Sequence, residues 1–358
     1  MTIRKVMPIL WRYMLVVAAS CLLAFFISRE GRAAIIIPAP AVSFSDENTG
    51  PYQVETVDET WEDQMRKRKL PIRILRPAAA QAEKTTAFPV IVFSHGLGGG
   101  RAAGKLWGEY WASHGYVVVH IQHPGSDESV WKDKPAGQVE SRLKSAMTMT
   151  NLGLRVGDVH FVIDEIVRRS SVGTEVVLKN VDSNKIGMSG HSFGAQTTLS
   201  IAGQINPAVG GQSGFDKRVS AAIAFSPNAR NKAKLDKQFS DIRMPFFSIS
   251  GTKDGAVLND GTTIEDRALP YSHMPPGDKY LLVLDGGDHM VFGGQTFARR
   301  KITPRDEEIR GIVKAASLLF WNAYLKGDSQ AKKLIAAKRD EQSSLQALLG
   351  AADRYDFK

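Results

Sequence analysis

Short apolar runs alternate with longer helical patterns along most of this 358-residue chain. A short apolar run between turn residues is typical of a buried strand, whereas apolar residues three and four apart indicate one face of a helix. The predicted strands cover 90–93, 116–121, 185–188, 221–225, 245–250 and 280–284, and the predicted helices cover 102–113, 155–168, 193–203, 230–239 and 306–325. This alternation predicts an α/β fold with a mostly parallel sheet covered by helices on both faces.

The first 33 residues follow a different pattern. Basic residues precede a mostly apolar stretch over 14–27, and residues 31–33 read Gly-Arg-Ala, a small-residue cleavage site. This stretch is shorter than the ~20 residues that span a membrane comfortably. We therefore predict a signal peptide over 1–33 and an exported, periplasmic or secreted protein. Residues 6–11 add apolar length on the other side of Arg12, so an uncleaved membrane anchor is the alternative.

The rest of the chain is predicted to hold an arm and one domain. Residues 34–69 should form an N-terminal arm or linker and a first edge segment, because the part up to about 55 is rich in Pro, Ala, Ser and Gly. Residues 70–358 show no internal repeat and should form a single α/β domain. Too few residues separate the strands at 221–225 and 245–250 for a large cap domain. The polar segment 125–150, which carries Trp131, could overhang a pocket.

Charge and cysteine content exclude several functions. The net charge is +9, but the first 33 residues contain five basic residues and one acid, which leaves 41 basic and 36 acidic residues, or +5, on the rest. That weak excess argues against a nucleic-acid partner. The single cysteine, Cys21, lies in the predicted signal peptide. The remaining chain would therefore have neither a disulfide nor a thiol nucleophile.

Residues 190–194 read Gly-His-Ser-Phe-Gly between a predicted strand and a predicted helix. The G-x-S-x-G pattern in this context predicts a nucleophile elbow, with Ser192 as the nucleophile. The turn leaves no room for side chains two residues before and after the serine, which explains Gly190 and Gly194. The serine would lie at the N-terminus of a helix, where backbone N–H groups favour negative charge.

The partners of Ser192 are expected at the carboxyl ends of parallel strands. Asp254 follows the predicted strand 245–250, and His289 follows the strand 280–284. The order Ser, Asp, His is the one used by α/β hydrolases. We therefore predict that His289 is the general base and that Asp254 orients its imidazole and stabilises its positive charge. Three other acids compete with Asp254 for this role: Asp260, Asp285 and Asp288.

A glycine-rich loop, 94–100, follows the predicted strand 90–93. In this position it should donate one backbone N–H to an oxyanion hole, and the residue after the nucleophile, Phe193, should donate the other. Leu97 is the expected donor of the loop, and Gly98 is the next choice. A phosphate-binding loop is disfavoured, since no G-K-[ST] sequence closes it.

A metal site is the alternative chemistry for the histidines. His120 and His123 lie near a strand end, and His95 and His289 should approach the same edge. No H-E-x-x-H or other ligand pattern is present, and a serine triad needs neither metal nor cofactor. We therefore predict no metal and no cofactor. Candidates for the pocket wall are Trp131, Tyr271, His273, Met274 and Phe292.

An ordered set of motifs marks a resemblance to a known group. The motifs are Ser-His-Gly-Leu-Gly-Gly at 94–99, His-Pro-Gly-Ser at 123–126, Gly-His-Ser-Phe-Gly-Ala at 190–195, and Gly-Asp-Lys-Tyr at 277–280 leading into Gly-Asp-His at 287–289. Over roughly residues 70–325 the chain resembles bacterial α/β hydrolases, in particular predicted dienelactone hydrolases and platelet-activating-factor acetylhydrolase-like esterases. The resemblance implies an α/β-hydrolase catalytic domain over 70–358 and a cofactor-free serine esterase. Dienelactone hydrolases have a cysteine at the elbow, so lactone specificity is not implied for Ser192.

The motifs together predict an exported serine carboxylic ester hydrolase that forms an acyl-enzyme on short-acyl or exposed esters. The substrate would be a small-molecule or polymeric ester, and any membrane contact would come from the N-terminal segment. A cutinase-like polyester hydrolase and an amidase or peptidase with the same triad are the enzymatic alternatives. A non-catalytic binding protein is disfavoured because all three triad residue types are present.

Overall fold

Nine strands form one sheet in the computed structural model, which describes residues 49–78, 87–172, 176–206, 214–229, 231–258, 260–294, 301–337 and 344–358. The strands are β1 (Val54–Asp63), β2 (Arg68–Pro77), β3 (Phe88–Ser94), β4 (Val117–Ile121), β5 (Val181–His191), β6 (Val219–Phe225), β7 (Phe246–Lys253), β8 (Lys279–Asp288) and β9 (Arg354–Phe357). Their order across the sheet is β1-β2-β4-β3-β5-β6-β7-β8-β9. The six strands from β4 to β8 pair in parallel, whereas β1, β2 and β9 add antiparallel edges.

Helices cover both faces of the sheet. They are α1 (Lys105–Ser113), α2 (Val139–Ala146), α3 (Met149–Val172), α4 (Phe193–Ala202), α5 (Leu235–Phe239), α6 (Ile264–His273), α7 (Pro304–Tyr324) and α8 (Ser329–Ile335). Strand β3 illustrates the two cores. Ile91 and Phe93 pack on the face of Trp111 of α1, and Val90 and Val92 pack on the opposite face. Successive side chains of a strand point to opposite faces, so a strand buried on both sides is apolar throughout. The predicted α/β-hydrolase fold is confirmed.

Several elements differ from the sequence-based prediction. Helix α3 is longer than the predicted 155–168, and α5 covers only the end of the predicted 230–239. Helix α6 and strand β9 were not predicted. Strand β1 lies within 34–69, so the sheet begins ahead of residue 70. The predicted signal peptide with Cys21 lies outside the described residues. None of the helices that the structure describes is both long and apolar enough for a membrane span.

The parallel strands bring the candidate residues to one edge of the sheet. Strands β3, β5, β7 and β8 run in the same direction, so their carboxyl ends lie on the same side. The loop of Leu97 follows β3, Ser192 follows β5, Asp254 follows β7 and His289 follows β8. Residues far apart along the chain therefore converge at this edge.

Candidate active site

Ser192 occupies a sharp turn between β5 and α4. Its backbone has φ 57° and ψ −114°, a conformation that residues other than glycine rarely adopt. A methyl group added to Gly190 would overlap the backbone of Gly194, and one added to Gly194 would overlap the carbonyl of Ser94. The N–H of Ser192 donates to the carbonyl of Phe225 at 3.0 Å, which ties the turn to β6. The turn therefore requires the two glycines, as the motif predicts.

Ser192, His289 and Asp254 form one chain of hydrogen bonds. Nε2 of His289 lies 2.8 Å from Oγ of Ser192, and Nδ1 of His289 lies 2.7 Å from Oδ1 of Asp254. With its proton on Nδ1, the imidazole donates to the carboxylate and presents an unprotonated Nε2 to the serine hydroxyl. In this arrangement Nε2 of His289 can remove the hydroxyl proton of Ser192 as Oγ attacks a carbonyl carbon.

Asp254 is fully buried, and an arginine accompanies it. Burial by itself would raise the pKa of Asp254, but the hydrogen bond from His289 and the charge of Arg267 outweigh burial and lower this pKa below its usual range. Nη2 of Arg267 lies 3.1 Å from Oδ1 of Asp254. The same guanidinium donates to the carbonyls of Ser226, Asp254 and Gly255. Arg267 thus fixes the loop after β7 and keeps the carboxylate ionised.

The acids that competed with Asp254 make other contacts. Oδ1 of Asp285 accepts a hydrogen bond from the hydroxyl of Thr252 at 2.9 Å. Oδ1 of Asp288 accepts from the N–H groups of Met290 and Val291, both at 3.0 Å. Oδ1 of Asp260 accepts from the N–H of Thr262 at 3.1 Å. Asp254 is therefore the acid that the structure brings to His289.

Two backbone amides at the site have no partner within the described parts of the chain. They belong to Leu97 and Phe193, which both line the same cavity as Ser192. The N–H of Gly98, the alternative donor of the loop, is already bonded to the carbonyl of Ser126 at 2.9 Å. The amides of Leu97 and Phe193 are thus available to an oxyanion, and that of Gly98 is not.

Buried histidines surround the site. Nε2 of His191 donates to the carbonyl of His289 at 2.8 Å, and burial lowers the pKa of His191 to about 3. Nε2 of His95 accepts from the backbone N–H of His123 at 3.0 Å. Burial also lowers the pKa of His120 and of His123 to about 4. Among the residues described, no group of three His, Cys, Asp or Glu side chains is arranged to hold a metal ion.

The site opens into a cavity of about 330 Å³. Most of the side chains around it are apolar, and Gln196, Asn228 and Asp260 supply polar groups; the apolar ones include Leu97, Trp131, Leu143, Met147, Val257, Leu258 and Met290. Segment 125–150 thus borders the cavity, as its position in the sequence suggests.

Of the predicted wall residues, only Trp131 lines the cavity. Met274 and Phe292 belong to the two cores, Tyr271 is buried, and His273 pairs with Asp236.

Sequence reasoning missed three parts of this site. Arg155 and Arg267 are buried behind the loops of Leu97 and Asp254, but charged residues within helical patterns are usually solvated. Leu143 lies on α2, an element that was not predicted. The signal for Arg155 was its place inside the apolar stretch of α3, between Leu152 and Val159.

Comparisons relate the chain to two groups of proteins. The family model described as platelet-activating factor acetylhydrolase, isoform II, matches residues 72–152. The chain is 26% identical to the platelet-activating factor acetylhydrolase of Canis lupus familiaris over 277 residues, which cover 66% of this chain and 57% of the relative. For that of Cavia porcellus the identity is 24% over 293 residues, or 68% and 62% of the two chains. For cutinase 2 of Thermobifida cellulosilytica it is 26% over 210 residues, or 58% and 63%.

These matches agree with the fold and the motifs. The chain spans less than two thirds of the length of each of these relatives. The family-model match includes the loop of Leu97 and the segment that carries Trp131 and Leu143. The resemblance to platelet-activating-factor acetylhydrolase-like esterases is thereby confirmed. The chain therefore has the α/β-hydrolase fold and is similar to platelet-activating factor acetylhydrolases and cutinases.

Proposed function

We propose that this protein is an exported serine carboxylic ester hydrolase that works through an acyl-enzyme. The observation that carries the proposal is the hydrogen-bonded chain from Ser192 through His289 to Asp254, beside a cavity that Ser192 and His289 line. The names of the relatives, acetylhydrolase and cutinase, support it. The low pKa of Asp254 supports it further, because an ionised carboxylate is needed to stabilise an imidazolium.

In acylation, Oγ of Ser192 attacks the ester carbonyl carbon while Nε2 of His289 takes the hydroxyl proton. Asp254 stabilises the imidazolium through Nδ1–H. The carbonyl oxygen becomes an oxyanion and accepts hydrogen bonds from the N–H groups of Leu97 and Phe193. As the carbonyl reforms, the bond to the alcohol oxygen breaks, and His289 gives its proton to that oxygen.

Deacylation repeats these steps with water as the nucleophile. His289 removes a proton from water, whose oxygen attacks the acyl carbon attached to Ser192. The same two amides bind the second oxyanion. The acyl bond then breaks, the proton returns to Oγ of Ser192, and the carboxylic acid leaves.

The cavity favours an ester with an apolar acyl group of modest size. Its volume of about 330 Å³ and its apolar walls suit a short chain near Leu97 and Leu143. Trp131 and Val257 are 38% and 51% exposed at the same cavity, which leaves room for a large alcohol or polymer outside. A polyester is therefore the second candidate substrate, and the cutinase relatives favour it.

Export is proposed from the sequence alone. Basic residues followed by the apolar stretch 14–27 are typical of a signal peptide. When the full chain is expressed, the protein should be recovered from the periplasm or medium with its new N-terminus near residue 34. Recovery from the membrane with residues 1–33 attached would indicate the anchored alternative instead.

Hydrolysis of p-nitrophenyl esters from acetate to octanoate tests the activity. Wild type should turn over the short esters, and Ser192→Ala should lower kcat by at least about 10³-fold, because the variant has no nucleophile. A fluorophosphonate probe should label wild type at Ser192 and leave Ser192→Ala unlabelled. Equal ester turnover by the two proteins would contradict the proposal.

Two further substrates separate the alternatives. A p-nitroanilide of the same acyl group should be cleaved much more slowly than the ester, since an amine is a poorer leaving group than p-nitrophenol. Faster turnover of the anilide would indicate an amidase. Release of acid from a polyester film, compared with the soluble ester, decides between the two ester substrates.

A further inference from the structure

Arg155 is a fully buried arginine next to the candidate oxyanion hole. It lies on α3 and has no exposed surface. None of the described carboxylates lies within ion-pair distance of its guanidinium, and Asp158, one turn further along α3, pairs instead with Arg66 and Arg68. Burial lowers the pKa of Arg155 to about 9, so the group still carries its charge at neutral pH. The charges of Asp158 and Asp127 offset part of the effect of burial. Neither carboxylate contacts the guanidinium, so this buried charge is unfavourable unless its hydrogen bonds are satisfied.

The guanidinium satisfies its hydrogen bonds on the loop that follows β3 and on Ser126, which follows β4. Nη1 of Arg155 donates to the carbonyl of His95 at 2.6 Å, and Nη2 reaches the carbonyl of Gly96 at 3.5 Å. Nε donates to the hydroxyl of Ser126 at 2.8 Å, and Nη2 reaches the carbonyl of Ser126 at 3.4 Å. Arg155 thus holds two successive peptide carbonyls of this loop and anchors them to the segment after β4.

The orientation of the Gly96 carbonyl fixes the orientation of the Leu97 amide. The carbonyl of Gly96 and the N–H of Leu97 belong to one peptide unit, and in a trans peptide the two groups point in opposite directions. The carbonyl of Gly96 also accepts from the N–H of Gly99 at 3.1 Å and from Nδ1 of His95 at 2.6 Å. Because these donors hold the carbonyl of Gly96, the N–H of Leu97 must point in the direction opposite to them.

The same guanidinium contacts the second amide donor. The central carbon of Arg155 lies 4.5 Å from the ring centroid of Phe193, the residue after the nucleophile. A cation over an aromatic face is attracted by the electrons of the ring. Phe193 is 8% exposed, so this contact is largely shielded from water. One side chain therefore contacts the peptide unit that contains the Leu97 amide and the ring of the residue that supplies the second amide.

We infer that Arg155 is a positioning residue for the oxyanion hole, which it holds ready before substrate binds. Its hydrogen bonds orient the peptide that carries the Leu97 amide, and its contact with Phe193 sets the distance between the two donors. The inference rests on the proposed function. Because the oxyanion forms only in the transition state, the arginine contributes to kcat rather than to substrate binding.

Two variants test the inference with p-nitrophenyl butyrate as substrate. In Arg155→Met the carbonyl of His95 loses the guanidinium, and that of Gly96 keeps only its donors within the loop. We expect kcat to fall by about 10- to 100-fold, less than the 10²–10³-fold lost when a donor itself is removed. KM should stay within about threefold of wild type. Arg155→Lys can still donate to one carbonyl, so its kcat should lie between those of Arg155→Met and wild type. A purely structural role would not produce this split between kcat and KM.

The matched control is Arg218→Met. Arg218 pairs with Asp164 of the same helix α3 and with Asp216, and it does not line the cavity. This variant should unfold at a lower temperature than wild type but keep the wild-type kcat. Near-UV circular dichroism identifies the folded variants, and if Arg155→Met does not fold, Arg155→Lys alone carries the test.

The outcomes separate this inference from the proposed function. A wild-type protein without ester turnover would overturn the proposed function and, with it, the role of Arg155. An active wild type with folded Arg155 variants of equal kcat would overturn the inference alone. A KM that rises as much as kcat falls would also overturn it, since Arg155 would then shape substrate binding.

Discussion

Ser192 and Ser94 each begin a Ser–His–Asp chain of hydrogen bonds, and the two chains differ in access. Oγ of Ser94 lies 2.6 Å from Nε2 of His123, whose Nδ1 lies 3.0 Å from Asp158. All three side chains are buried, and Ser94 lies in the regular strand β3. Ser192 instead occupies a strained turn that exposes it to the cavity. The same residue types are thus buried beside a loop in one place and face the cavity in the other.

Asp254 should be essential for ester hydrolysis. In Asp254→Asn the amide cannot stabilise the imidazolium, so kcat should fall by about 10³- to 10⁴-fold with little change in fold. The control is Asp285→Asn, which alters an exposed acid that bonds Thr252. Steady-state hydrolysis of p-nitrophenyl acetate measures both. Comparable losses in the two variants would mean that Asp254 has no special role.

The motifs predicted the residues that face the cavity better than those that support them. Ser192 and His289 could be located because the elbow and the strand ends leave local patterns in the sequence. Arg155 is marked only by its place inside an apolar stretch, and Arg267 by no local pattern. Neither position indicates the partners of the arginine, most of which are backbone carbonyls of distant loops. A carbonyl is present at every residue, so a sequence cannot indicate which ones a buried arginine will bind.

At the scale of elements, α2 forms part of the cavity wall. Leu143 of α2 and Trp131 both pack against Gly98, where a methyl group would meet Cδ2 of Leu143 at 2.7 Å. Nε1 of Trp131 donates to the carbonyl of Gly98 at 2.7 Å. The segment between β4 and α3 is therefore attached to the loop that carries Leu97, and it narrows the cavity beside that loop.

Shortening Leu143 should lengthen the acyl group that fits. Leu143→Ala removes apolar volume from the wall, so kcat/KM for the octanoate ester should rise relative to acetate. Two extra buried methylenes at about 0.8 kcal/mol each predict a change of about tenfold in this ratio. The control is Lys144→Ala, an exposed neighbour on α2 that pairs with Glu140. An unchanged ratio in Leu143→Ala would place the acyl group elsewhere.

The strands were easier to predict than the helices around the cavity. A strand buried on both faces, such as β3, is a continuous apolar run that is evident in the sequence. Helix α2 has one buried residue, Ala146, so its polar sequence resembles a loop. Its contacts depend on how the segment folds back over the sheet, which local periodicity does not specify.

The whole molecule buries several histidines in their neutral form, and this makes its stability depend on pH. The pKa of His120 and of His123 is about 4 in the folded protein, and that of His191 is about 3, because burial disfavours the charged ring. Unfolding returns each to the ordinary value of 6.5. The unfolded chain therefore binds more protons than the folded chain below 6.5.

The free energy of unfolding should therefore fall as the pH is lowered from about 6.5 towards about 4, by up to about 1.4 kcal/mol per pH unit for each histidine. Above 6.5 these groups should contribute their full stabilisation. Urea titrations followed by tryptophan fluorescence at several pH values measure the trend. His120→Asn, which retains a donor for the carbonyl of Ala103, should show a smaller slope. A stability that does not change over this range would contradict the assignment of neutral buried rings.

The overall architecture was predictable because alternating strands and helices leave few topologies. The antiparallel strands at the edges of the sheet were harder to predict. Strand β1 largely alternates exposed with partly buried positions and contains many charged residues, and β9 has only four residues. Edge strands bury one face at most, so their sequences lack the apolar runs that mark the centre of the sheet.

At position 192, where φ is 57°, the most stable residue and the reactive residue are different. Glycine tolerates this conformation without strain, whereas for serine a sparsely populated backbone state costs about 1–3 kcal/mol. Evolution for robustness alone would favour glycine at this position, and evolution for turnover would favour the hydroxyl. A lineage that abandoned catalysis would therefore be expected to lose this residue early, and its absence would serve as a marker of descendants that kept the scaffold for another use.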